Sequence, residues 1–100
     1  MSKREKPFIH PGEVLEEDVL AELGMSAKQL GEVLGVPSNR ITEIVRGRRG
    51  ISADTALRLS RWLGTTPKFW LNLQQAYDLE VAIREHGEEI DRTVMPRSVA

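Results

Sequence analysis

A chain of 100 residues with 40% hydrophobic content suits one domain and leaves no length for a second. Its formal charge of −1 gives no overall pull toward nucleic acid, and the lack of cysteine excludes disulfides, thiol catalysis and thiolate metal sites, which fits a reducing compartment. No run of about 18 apolar residues is present to span a bilayer, and "MSKREKPFIHPGE" has no apolar h-region, so a cytoplasmic protein without a membrane partner is expected.

The first predicted helix covers residues 11–23 in "HPGEVLEEDVLAELG". Pro11 suits a first helical position, carboxylates fill the turns where the helix dipole favours them, and Gly24 supplies a left-handed stop. Glu13, Glu16, Glu17, Asp18 and Glu22 give residues 10–25 a charge of −5, with no Lys or Arg. His10 is expected to pack or cap ahead of this helix. "SAKQLGEVLG" opens with Ser26 and has Gln29 three residues on, a capping-box pattern that predicts a second helix over 27–34. A third is predicted over 37–46 in "VPSNRITEIVRG", with Ile41, Ile44 and Val45 at helical spacing. The fourth starts after Ser52, partly buries Ala56, Leu57, Leu59 and Leu63, and stops at Gly64. The fifth starts at Thr66 and Pro67 and ends near Glu85, with Gly87 beyond it and His86 beside its C-terminal dipole. No segment alternates strongly enough to outweigh these signals as a strand, so the chain reads as all-α with five helices.

Gly31 lies in the middle of the second helix, where it costs about 1 kcal/mol relative to Ala. Close approach of another helix would offset that cost. Gly35 follows where the chain must turn with a positive φ, Val36 anchors the turn, and Ile41 and Ile44 face back. These are the requirements of a helix-turn-helix. Charge agrees: residues 26–52 carry Lys28, Arg40, Arg46, Arg48 and Arg49 against Glu32 and Glu43, a net +3, while residues 71–91 return to −5.

On this reading the start of the third helix meets base edges in the major groove. Ser38, Asn39, Thr42, Glu43 and Arg46 face solvent, with Arg40 on the flank. Asn39 suits adenine, Arg40 or Arg46 suits guanine or a phosphate, and Glu43 suits cytosine or the orienting of an arginine. Lys28, Gln29 and the first amides of the second helix suit a phosphate. Arg46, Arg48 and Arg49 form an expected phosphate clamp. One such helix reads few base pairs, so a dimer is expected, with two recognition helices about 34 Å apart.

"HPGE", "GVPSNRITEIVRGRRGISADTALRL" and "FWLNLQQAYDL" carry a resemblance to the HigA antitoxin family, a branch of the Xre/Cro-type repressors, over about residues 10–80. The resemblance implies a five-helix, lambda-repressor-like helix-turn-helix domain over 10–90, between an N-terminal arm (1–9) and a short C-terminal tail (91–100). It implies a homodimer that binds double-stranded operator DNA, represses its own operon and neutralises a HigB-like toxin, a RelE-like ribosome-dependent mRNA endonuclease. The DNA role is thereby carried to Ser38, Asn39, Arg40, Thr42 and Arg46. The long disordered tail of many other antitoxins is lacking, the chain closing on a short tail that ends in "TVMPRSVA", so toxin contact is expected on a folded surface, and the acidic face of the first helix is one candidate. A stand-alone repressor of the same fold, without a toxin, is the alternative.

In "FWLNLQQAYDL", Phe69, Leu73 and Ala76 form one stripe, and Trp70, Tyr77 and Val81 form another. With Leu79 and Ile83 they span an arc of roughly 200°, wider than one core requires. The first stripe is expected to seal the core against the fourth helix and Trp62, and Trp70, Tyr77 and Val81 to form a dimer seam. No convergent polar set accompanies them to make a ligand pocket. The pairs His10 with Glu13 and His86 with Glu89 have ligand-like spacing but lack a third member, and no nucleophile is placed with a base. Neither catalysis, metal nor cofactor is expected.

Overall fold

Capping chemistry starts four of the helices. In the computed structural model, which describes residues 9–98, His10 Nδ1 accepts the Gly12 N–H at 2.9 Å and opens α1, residues 11–23. Ser26 and Gln29 make the reciprocal bonds of a capping box at 3.1 and 2.9 Å ahead of α2 (Ala27–Leu34). α3 (Ser38–Val45) follows an extended Pro37 without a side-chain cap. Ser52 accepts the Thr55 N–H ahead of α4 (Ala53–Leu63), and Thr66 accepts the Phe69 N–H ahead of α5 (Pro67–Thr93). Five helices are present and no strand occurs among the described residues, as the sequence predicts. The expected arm over 1–9 lies outside the described residues except for Ile9.

Within α1, Leu15–Leu20 winds as a π-helix, with the Ala21 N–H bonding to the Glu16 carbonyl. The i to i+5 repeat puts Leu15 and Leu20 on one face, where they are buried together with Val19. All five helices contribute to one core: Leu15, Leu30, Ile41, Ile44, Ala56 and Leu59 are fully buried, and Trp70 is 1% exposed.

Two glycines set the position of α3. A methyl added at Gly31 would stand 2.9 Å from the Val36 carbonyl oxygen and 3.3 Å from Ser38 Cα. The close approach expected from the sequence is therefore that of the turn and the start of α3. At Gly12, in α1, an added methyl would fall onto the Ile44 carbonyl near the other end of α3.

Four expectations are corrected. Leu57 and Trp62 are 59% and 39% exposed, so α4 turns them outward and neither seals the core. On α5, Trp70 is buried in the monomer and unavailable as a seam residue; its indole N–H donates to Thr65 Oγ1 at 3.2 Å. Tyr77 is half-buried edge-on to the His10 ring, 4.8 Å between centroids, and Val81 is half-buried on the same face. Phe69, 45% exposed, and Ala76 point outward, while Leu73 of the same stripe packs against the core, so each stripe is only partly turned inward. Both are apolar, and periodicity alone does not say which members meet the core. Finally, α5 runs through Gly87 to Thr93, past the end near Glu85 expected from the sequence. His86 is therefore inside the helix, 3.8 Å from Glu89 and 3.9 Å from Glu85. Gly87 weakens a helix by about 1 kcal/mol without ending it, and the effective stop is Val94 with Pro96 beyond.

Two tests follow from these contacts. Gly12→Ala should destabilise the fold by about 1–3 kcal/mol, read as a lower denaturant midpoint, because α1 and α3 must move apart. His10 has a pKa lowered by burial, against the opposing pull of Asp78 and Glu13. The neutral ring accepts the Gly12 N–H. Its folded-state pKa lies below the unfolded value of about 6.5, so this stabilisation is complete above that value and lost as pH falls through the folded one. His10→Asn keeps a capping acceptor without titrating, and should flatten the fall in melting temperature between about pH 7 and pH 5.

Candidate nucleic-acid interface

At about 100° per residue, Ser38, Asn39, Thr42, Glu43 and Arg46 fall within an arc of about 140° on α3, opposite the buried Ile41 and Ile44. Ser38, Asn39 and Arg46 are exposed, and Thr42 and Glu43 are partly so. Thr42 Oγ1 donates to the Ser38 carbonyl at 2.9 Å, which holds its hydroxyl along the helix. The surface is polar because the other half of the same helix supplies two fully buried isoleucines to the core.

The loop after α3 carries the arginines. Gly47 takes φ 74°, and the Arg48 and Arg49 N–H groups both donate to the Glu43 carbonyl, at 2.8 and 3.3 Å. The Glu43 carboxylate meets the Arg49 guanidinium at 2.8 Å. An exposed pair of this kind contributes only about 0–1 kcal/mol, so its consequence is direction rather than stability. Arg46 and Arg48 remain exposed beside it. Lys28 is exposed at the first turn of α2, and Gln29 is engaged through Oε1 in the capping box.

Arg40 lies outside the α3 arc and half-buried. Its Nη1 meets Asp54 Oδ2 at 2.6 Å, and Arg58 Nε reaches the same oxygen at 2.9 Å. Hydrogen bonds from Arg40 and then Arg58 hold the Asp54 carboxyl below its ordinary pKa. Arg58 Nη1 also donates to the Leu34 carbonyl at 2.9 Å, which closes the C-terminal end of α2. These three side chains clamp the helix-turn-helix to α4.

A second clamp comes from α5. Gln74 Oε1 accepts the buried Ile51 N–H at 2.7 Å, Gln74 Nε2 donates to Asp78 at 2.9 Å, and a methyl at Gly50 would stand 2.8 Å from the Gln74 side chain. The arginine loop is thus fixed at its far end to the long helix. Gly12, Asp54, Arg58 and Gln74 are the site-shaping residues absent from the sequence reading. The i, i+4 spacing of Asp54 and Arg58 was a readable signal, as was a glutamine on the same side of α5 as Trp70 and Tyr77. Nothing local pointed to Gly12.

The described residues include no helix long and apolar enough to cross a membrane, and no group of three His, Asp or Glu residues placed to hold a metal.

A helix-turn-helix family model matches residues 17–70. The chain is 49% identical over 96 residues to virulence-associated protein I of Dichelobacter nodosus, covering 96% of this chain and 87% of that one. A HigA-family addiction module antidote protein from Coxiella burnetii superposes with a TM-score of 0.85 at 52% identity, over 89% of this chain and 97% of that one. Antitoxin HigA of Pseudomonas aeruginosa, solved with the higBA promoter, superposes with a TM-score of 0.87 at 41% identity, over 90% and 98%.

Gln74→Leu leaves the Ile51 N–H buried without its acceptor and should cost about 1–3 kcal/mol. Faster hydrogen exchange at the Ile51 amide, relative to the core of α4, would locate the loss; unchanged exchange there would argue against the clamp.

Proposed function

Because this chain belongs to the HigA family of Xre-type helix-turn-helix proteins, a family of DNA-binding antitoxins, we propose that it binds the operator of its own operon as a homodimer, represses it, and neutralises a HigB-like, RelE-like mRNA endonuclease. The observation that carries the DNA part is the exposed polar arc of α3, continuous with the oriented arginine loop. Asn39 has the donor and acceptor pair that matches adenine in the major groove, and Arg46 the fork that matches guanine or a phosphate. Ser38 and Thr42 lie beside them. Arg48, Arg49 and Lys28, with the Gln29 amide, meet phosphates, which set register without reading sequence. Glu43 aims Arg49. Arg40 acts first as the tie to Asp54, which holds α3 at its angle, and reaches DNA only from the flank.

The toxin part rests on family membership and on charge. A protein that cleaves RNA is expected to be cationic, and the helix-turn-helix lies between two segments that each carry −5. Several relatives carry the names of antitoxins or transcriptional regulators, which supports a binding role. Co-expression with the product of the adjacent gene tests the toxin reading: relief of that product's growth arrest supports it, and continued arrest removes it.

For DNA, the probe is the duplex upstream of this chain's own coding sequence, compared with a mixed-sequence duplex. Asn39→Ala should cost about 1–3 kcal/mol on the upstream duplex and leave the mixed one unchanged. Arg48→Ala combined with Arg49→Ala should weaken both alike and reduce the salt slope by about 2. Equal losses on both duplexes for Asn39→Ala would remove it from base reading.

A further inference from the structure

Both ends of the arginine loop trace back to one side chain at the start of α1. At the near end, the Gly47 N–H donates to the Ile44 carbonyl at 3.0 Å, and a methyl added at Gly12 would fall onto that same carbonyl. His10 Nδ1 holds the Gly12 N–H at 2.9 Å. At the far end, the Ile51 N–H donates to Gln74 Oε1, and Gln74 Nε2 donates to Asp78 Oδ1. Asp78 acts in turn on the His10 ring, and Tyr77 beside it on α5 meets that ring edge-on. The charged groups that act on the ring are thus Asp78 from α5 and Glu13 from α1, while α3 meets this end of α1 through the Ile44 backbone.

The ring can keep this position only while neutral. Accepting the Gly12 N–H uses the lone pair of Nδ1, so the ring proton sits on Nε2. A second proton goes to Nδ1, removes that lone pair and sets one N–H against another. The imidazolium is at the same time drawn to Asp78, where it competes with Gln74 Nε2 for the carboxylate. Burial holds the ring below its ordinary pKa, which keeps the neutral form dominant near neutral pH.

We infer that His10 is a positioning residue for DNA: its neutral ring holds both ends of the arginine loop, and its protonation releases them, so that acid weakens the contact with phosphates. The inference rests on the DNA reading above and adds the group that tunes it. A loop that is no longer held must be ordered when DNA binds, and affinity falls by that amount. Two carboxylates stand beside the charge that the ring gains, so it adds little to the field reaching DNA.

The test follows DNA affinity and amide resonances of the full chain between about pH 7.5 and about pH 5.5, a window that spans the titration of histidine, at constant ionic strength and with helix content monitored. Wild-type affinity for the upstream duplex and for the mixed one should fall alike, by about three- to tenfold. The Gly47 and Ile51 amide resonances should shift with the same midpoint as the His10 ring. His10→Asn keeps a capping acceptor without titrating, so its affinity and both resonances should hold steady across the range. Wild-type binding that is equal or tighter in acid, an equal fall in the two proteins, or Gly47 and Ile51 resonances that do not follow the ring would overturn the inference. The wild-type resonances decide this whatever the stability of the variant. A chain that binds neither duplex at the upper pH would remove the DNA reading itself, and the resonances would still decide whether His10 governs the loop.

Discussion

α3 stands where it does because two neighbouring segments have no side chain at the point of contact. Gly31 lets the turn and the first residue of α3 approach α2, and Gly12 lets α1 close on the Ile44 carbonyl near the other end. Each contact is backbone against backbone, too close for a single methyl. Helices that meet through side chains can adjust by changing rotamers, whereas these contacts have no such freedom. The angle of α3 is therefore set by covalent geometry, and Ile41 and Ile44 fill the core only at that angle.

Polar side chains then hold the parts that packing cannot. Asp54 gathers Arg40 from α3 and Arg58 from α4, and Arg58 closes the end of α2. Gln74 reaches from α5 to the Ile51 N–H at the end of the arginine loop. A loop bearing Arg46, Arg48 and Arg49 repels itself and has little apolar surface to bury. Its order comes from the Glu43 carbonyl and carboxylate at one end and from Gln74 at the other. The charges proposed to meet phosphates are thus pre-directed at little stability cost, which lowers the ordering that binding would otherwise require.

Legibility in the sequence followed the range of the interaction. Caps, turn glycines and the four N-terminal helices were readable because each depends on residues within four positions: Ser26 with Gln29, Ser52 with Thr55, Gly35 at its turn. The polar arc of α3 was readable for the same reason, since Ile41 and Ile44 dictate what lies opposite them. The end of α5 is not legible in the sequence because Gly87 suggests a stop, while Pro96, the stronger breaker, lies beyond a stretch with no core contact. Leu57 and Trp62 were placed inside because an apolar residue on a helix carries no local mark of which neighbour it will meet.

What the sequence determined by itself is an all-helical chain with a helix-turn-helix, a basic segment between acidic ones, and the residues offered on the outer face of α3. Those follow from backbone stereochemistry, periodicity and charge, all local properties. The tertiary structure alone decided that Trp70 rather than Phe69 enters the core, that Arg40 answers to Asp54, and that Gln74 holds the arginine loop. Each of these joins segments from 14 to 23 residues apart or chooses between two equally apolar faces. Such a choice depends on where other helices stand, and that position is set here by two contacts in which a side chain is missing.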